Sequence, residues 1–174
     1  MGEDSPSLFK FLVTIGQCDI DKLYFNYVGI SSQSESSLYI APLSQCVKGI
    51  NRYVFVRHTV FDSNSLNQLV KACSHVEELS LDLGILDLSD LDFRIDTDYK
   101  IKTLSLQRCR LNQSSKAKTM LQQFDKIISA MADSGLKLSL RTLHVRKCGV
   151  SEKEIEVLLN LKTGFNLKDL SVKE

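Results

Sequence analysis

The feature that most constrains this chain is an apolar pattern that returns about every 25 to 30 residues. From Ile101 it reads Ile-x-x-Leu104-x-Leu106-x-x-Cys109-x-Leu111, and from Leu140 it reads Leu-x-x-Leu143-x-Val145-x-x-Cys148-x-Val150. Val76, Leu79, Leu81, Gly84 and Leu86 form a third copy; Ile50, Tyr53, Phe55, His58 and Val60 form another. Ile20, Leu23, Phe25, Val28 and Ile30 open the series, and Leu167, Leu170 and Val172 close it in truncated form. The interval from Ile101 to Leu140 is longer than the rest by about a dozen residues, which places an insertion inside that unit. Alternation at positions four and six of each copy predicts a short strand with one face buried.

Helix-like segments precede the strand-like ones at a similar offset. Ile40 and Leu43 lie before Ile50, Leu66, Leu69 and Val70 before Val76, and Leu158 and Leu159 before Leu167, all spaced to share one helical face. Ser63 with Ser65 marks one predicted helix start, and Ser151 followed by Glu154 fits a capping box at another. A unit of one strand and one helix cannot hide its own apolar side, so neighbouring units must stack into a continuous core.

The pattern resembles the leucine-rich repeat family, in its ribonuclease-inhibitor-like and cysteine-containing subtypes, over nearly the whole chain from about residue 8. Leu69-Val-Lys-Ala-Cys73-Ser-His-Val76-Glu-Glu-Leu79-Ser-Leu81 looks like the cysteine-containing repeats of F-box substrate receptors. Position nine departs from the usual Asn or Cys at Val28, His58 and Gly84. The resemblance implies an α/β solenoid: a curved, right-handed stack of about six strand-helix repeats with a parallel sheet on the concave face. Residues 1–174 read as a single domain with repeat cores starting at 20, 50, 76, 101, 140 and 167. Because the last core stops within two residues of Val172, the expectation is a piece of a longer protein, or an end covered by another chain.

With positions one, four and six directed inward, positions three, five, seven and eight face outward from the strand. That assigns Lys22, Tyr24, Asn26 and Tyr27 to the open face of the first strand and Arg52, Val54, Val56 and Arg57 to that of the second. Glu78, Ser80, Asp82 and Leu83 follow, then Thr103, Ser105, Gln107 and Arg108, then Thr142, His144, Arg146 and Lys147. The expected partner-binding surface combines Tyr24, Tyr27, Arg52, Val54, Val56 and Arg57 with Arg108, His144, Arg146 and Lys147. Its N-terminal third, a mixture of aromatic, apolar and cationic groups of the kind that supplies interface hot spots, is the preferred contact patch. The alternative is that these apolar groups only cover one another laterally.

Twenty-two basic residues nearly cancel 21 acidic ones, so the overall field gives no reason to expect nucleic acid or an anionic membrane as partner. No apolar window is long enough to span a bilayer, and Met-Gly-Glu-Asp-Ser-Pro has neither signal-peptide character nor the hydroxyl residue of a myristoylation motif. Locally, charge is segregated. Glu77, Glu78, Asp82, Asp87, Asp90, Asp92, Asp96 and Asp98 crowd one repeat, whereas the next carries only basic charge up to residue 124. These neighbours either screen one another as ion pairs between repeats, or leave a basic loop with Arg110, Lys116 and Lys118 to dock an acidic partner segment.

Five cysteines at 18, 46, 73, 109 and 148, an odd number without a Cys-x-x-Cys pair, point to reduced thiols in an intracellular and specifically cytoplasmic setting. Cys109 and Cys148 share a template position in adjacent strands, close enough in principle for a disulfide, though a small buried thiol is the favoured reading there. His58 reads as a turn histidine, and the aspartate run lacks the spacing of a calcium loop. No nucleophile-elbow, phosphate-loop, dinucleotide or His-Glu-x-x-His motif occurs, so neither a catalytic residue, a metal nor a cofactor is expected. The expected function is a non-enzymatic protein-protein interaction module whose partner lies on the concave face. The family resemblance adds two alternatives, the substrate-recognition part of a ubiquitin ligase and a GTPase-activating repeat protein using an exposed Arg57, Arg108 or Arg146. RNA binding through Arg108, Arg146 and Lys147 is disfavoured by the absence of stacking aromatics beside them.

Overall fold

A computed structural model describes Thr14 and residues 19–26, 33–57, 60–111 and 119–174. The chain is α/β, organised around a six-stranded parallel sheet. Its strands are β1 (Ile20–Asn26), β2 (Ile50–Arg57), β4 (Glu78–Asp82), β6 (Thr103–Gln107), β8 (Thr142–Arg146) and β9 (Asp169–Lys173), hydrogen-bonded in that order. Sheet order therefore follows chain order. A second, three-stranded parallel sheet joins β3 (Val60–Asp62), β5 (Ile85–Asp87) and β7 (Arg110–Leu111), one step beyond the main strands.

The connections carry helices α1 (Gln33–Cys46), α2 (Ser63–Ala72), α3 (Met120–Ala132), the short α4 (Leu136–Ser139) and α5 (Glu152–Leu161). Three of them begin where side chains satisfy otherwise orphaned amides. Asp62 accepts a hydrogen bond from the Ser65 amide at 2.8 Å and starts α2, taking the capping role expected of the serines. Thr119 with Gln122 and Ser151 with Glu154 form capping boxes at α3 and α5. Phe124, Ile127, Ile128 and Met131 then fall on one face of α3, and Leu66, Leu69 and Val70 on one face of α2, all buried against the sheet.

Between sheet and helices runs one continuous apolar core. Leu79 and Leu81, Leu104 and Leu106, and Leu143 and Val145 pair across successive strands in identical register and are buried. The third unit has no helix. Its irregular return from Leu88 to Lys100 buries Phe93 and Tyr99, with the Tyr99 hydroxyl donating to the Phe93 carbonyl at 2.5 Å. The Leu88 amide donates to the wholly buried Gln123 at 3.1 Å, and the Asp92 amide to Asn67 at 2.9 Å, so side chains from both flanking units supply the bonds a helix would have made internally.

One rung departs from the template. Ile20 pairs with Ile50 but Lys22 pairs with Tyr53, because β2 carries one extra residue there. A single inserted residue turns every later side chain to the opposite face. Val54 and Val56, expected on the open face, are therefore core residues with no exposed surface, and Tyr53 and Phe55, expected inside, stand half-buried on the open face. The slip continues into β3, where Phe61 is the buried residue that pairs with Leu86. Leu83, also expected outside, is fully buried. His58 and Tyr27 lie outside the described residues.

Candidate functional site

Parallel pairing in constant register stacks equivalent positions into columns across the open face of the main sheet. The central column runs Tyr24, Phe55, Ser80, Ser105, His144 and Ser171. On one side stand Lys22, Tyr53, Glu78, Thr103, Thr142 and Asp169; on the other stand Asn26, Arg57, Asp82, Gln107, Arg146 and Lys173. The surface is graded along the stack, from aromatic through small and polar to cationic.

At the aromatic end, Tyr24 is 67% exposed and leans on Tyr53 and Phe55, with ring centroids 5.3 Å and 6.1 Å away. These tilted contacts suit the quadrupoles of the rings. The middle rungs carry only Ser80 and Ser105 in the central column, with Thr103 beside them, too short to fill the space between Phe55 and His144. What results is a groove of about 270 Å³ bounded by Tyr53, Phe55, His144 and Arg146 and floored by the small residues. His144 Nδ1 is shielded from solvent and has no hydrogen-bond partner among the described residues.

Arg57 and Arg108 do not stand free. Both reach Asp82, whose carboxylate is 4% exposed: the Arg57 Nε lies 3.1 Å from Oδ2, and an Arg108 guanidinium nitrogen contacts the same oxygen. Three adjacent rungs are thereby tied across the sheet margin. Arg52 is exposed and pairs loosely with Glu78 at 4.0 Å, while Lys102 holds Glu77 at 2.8 Å. That hydrogen bond and the ammonium charge keep the Glu77 carboxyl below its ordinary value. Glu77, Glu78 and Asp82 are thus met by cations from the rungs on both sides. Arg146 and Lys147 are exposed farther along the same margin, and Arg110 is exposed beyond it; Lys116 and Lys118 lie outside the described residues. Arg108 and Lys147 both adopt positive φ, 55° and 54°, the left-handed turn that ends each strand and swings these side chains to the margin.

Of the ten residues expected to bind, the structure gathers Tyr24, Arg57, His144 and Arg146 on the open face and puts Arg52, Arg108 and Lys147 at its edges. It removes Val54 and Val56 to the core. The template does not reach Tyr53 and Phe55 as open-face residues, because the register makes Val54 the equivalent of Leu23 and Leu79, four residues after Ile50 instead of three, and the apolar Tyr53 hides that extra step in the sequence.

Elsewhere, a wider hollow of about 610 Å³ lies beyond β9, lined by Leu159, Phe165, Leu167 and Leu170. Among the described residues no cluster of three or more His, Cys, Asp or Glu side chains is arranged to hold a metal ion. No described helix is long and apolar enough to cross a membrane. Compared with known proteins, the sequence matches no family model and no curated protein.

Proposed function

We propose that this chain is a leucine-rich-repeat solenoid acting as a non-enzymatic interaction module, with a protein partner seated on the open face of its six-stranded sheet. The observation that carries this reading is the asymmetry of the strands. One set of side chains is buried in a continuous core, while the other forms a groove whose bulky aromatic and cationic ends flank a floor of Ser80, Thr103 and Ser105. Such a face can change its side chains without disturbing the core, as stacked repeats require of a binding surface. Tyr24, Tyr53 and Phe55 supply rigid apolar area, and Arg146 supplies charge at the far end, the residue types from which hot spots are drawn.

Comparative capture with quantitative mass spectrometry tests the reading. A Tyr24→Ala/Phe55→Ala double variant and Arg146→Ala are expected to lose the same set of proteins by tenfold or more. Val157→Ala, on the exposed side of α5, is expected to keep them. Identical recovery by all four proteins would refute the proposal.

A further inference from the structure

The sequence places Cys109 and Cys148 in the same position of adjacent rungs, and the structure puts their sulfurs 3.1 Å apart, joined by a thiol hydrogen bond. Their backbones are held side by side. Gln107 pairs with Arg146 just before them, and the Arg108 amide donates to the Arg146 carbonyl at 2.9 Å. Adjacent parallel strands lie about 4.8 Å apart, within the Cα separation a disulfide tolerates. Bringing the sulfurs to the roughly 2.05 Å of a bond takes about 1 Å of side-chain movement.

The other described cysteines differ. Cys46 and Cys73 have no exposed surface, whereas Cys109 and Cys148 keep 5% and 3%. Burial pushes the Cys46 thiol up to about 11 and the Cys73 thiol higher still, so neither forms a thiolate at neutral pH. In the second pair the two sulfurs act on one another in opposite senses. Its contact with the Cys109 sulfur holds the Cys148 thiol below its ordinary value against the cost of burial, with backbone groups at Cys109, Arg146 and Arg108 assisting. The same contact, with burial, pushes Cys109 up.

We propose that Cys109 and Cys148 form a built dithiol site for two-electron oxidation by a peroxide-class oxidant, closing to a reversible disulfide between neighbouring rungs. The Cys148 thiolate attacks one peroxide oxygen, the O–O bond breaks, and the departing hydroxide takes up a proton to leave as water. Cys148 is then a sulfenic acid. The Cys109 sulfur attacks the Cys148 sulfur, the S–O bond breaks, and the hydroxyl leaves as a second water with the Cys109 proton. Two thiols are oxidised by two electrons and one peroxide is reduced to two waters. Cys109 directly follows Arg108 and Cys148 directly follows Lys147, so the new bond fixes the spacing of two cations at the margin of the open face.

Peptide mapping of the folded protein after treatment with one equivalent of hydrogen peroxide, with alkylation of the remaining thiols under denaturing conditions, tests the proposal. The expected product is a linked Cys109–Cys148 peptide pair that dithiothreitol separates, with Cys46 and Cys73 recovered as alkylated thiols. In the Cys109→Ser variant, which keeps a hydrogen-bonding group beside Cys148 but cannot form a disulfide, Cys148 is expected to persist as a sulfenic acid trapped by dimedone. Recovery of Cys109 and Cys148 as separate alkylated thiols, over-oxidation of Cys148 while Cys109 stays free, or linkage mainly to Cys46 or Cys73 would each overturn it.

Discussion

Shortening Val54 to alanine tests the register on which the whole open face depends. The Val54 side chain is entirely buried on the core side of β2, flanked by Leu23 and Leu79. Val54→Ala removes two methyl groups, a transfer loss of about 0.8 kcal/mol each. The space they leave, roughly 25 Å³ apiece at about 24 cal/mol per Å³, adds about 1 kcal/mol where the surroundings do not collapse. The expected destabilisation is about 2 to 3 kcal/mol. Tyr53→Ala trims a half-buried side chain whose ring lies 5.3 Å from that of Tyr24, and is expected to cost about 1 to 2 kcal/mol. Without the extra residue in β2, Tyr53 would be the core group, at about 3 to 5 kcal/mol, and Val54 an exposed one, within about 0.5 kcal/mol of neutral. Urea unfolding of both variants, compared at unchanged slope, decides between these orders. A Tyr53→Ala loss clearly larger than that of Val54→Ala would refute the register and the groove built from it.

Leu104→Ala, in the centre of the sheet where the template holds without a slip, is expected to cost about 2 to 5 kcal/mol by the same assay, and unchanged unfolding would contradict the shared core. Asp82→Ala leaves the Arg57 and Arg108 guanidiniums facing one another. Breaking a buried pair costs about 3 to 5 kcal/mol, but both arginines are 40% or more exposed and can turn to water, so about 1 to 3 kcal/mol is expected. Glu77 and Asp92 have their folded carboxyls lowered, Glu77 by a hydrogen bond from Lys102 and Asp92 to about 2 by hydrogen bonds from the Arg94 side chain and amide. The unfolded chain therefore binds more protons, and their stabilisation, complete above the ordinary carboxylate range, drains as pH falls toward 2. The urea midpoint should drop across that window, less steeply in Asp92→Asn, and an equal slope in the variant would remove Asp92 from the account.

Much of the fold was legible because a stacked unit repeats its constraints. A leucine that must be buried at 79 must also be buried at 104 and 143, and three agreeing copies outvote the ambiguity of any short apolar run. Ile20 and Ile50 pair as the repeat predicts, yet the strand after Ile50 shows the face opposite to the expected one. Tyr53 and Phe55 are apolar enough to pass for core residues, and the alternation of β2 fits either face equally well. Only the packing of Val54 and Val56 against their neighbours in β4 breaks that tie. Charges were legible only as a block. The acidic run and the basic run following it showed that Asp82 would have cationic neighbours, but the convergence of Arg57 and Arg108 on one oxygen depends on the register and on the left-handed turn at Arg108. The helix-free return of the third unit was not legible, since its anchors, Gln123 and Asn67, belong to other units.

The claim that a partner occupies the open face meets its most direct test in site-specific photocrosslinking. A benzophenone side chain placed at Ser105, on the floor of the groove, or at Tyr24, on its aromatic rim, is predicted to capture one and the same protein. The same group at Val157 or Leu161, on the exposed side of α5, is predicted to capture none of it. Equal capture from both sides, or capture from α5 alone, would contradict the assignment.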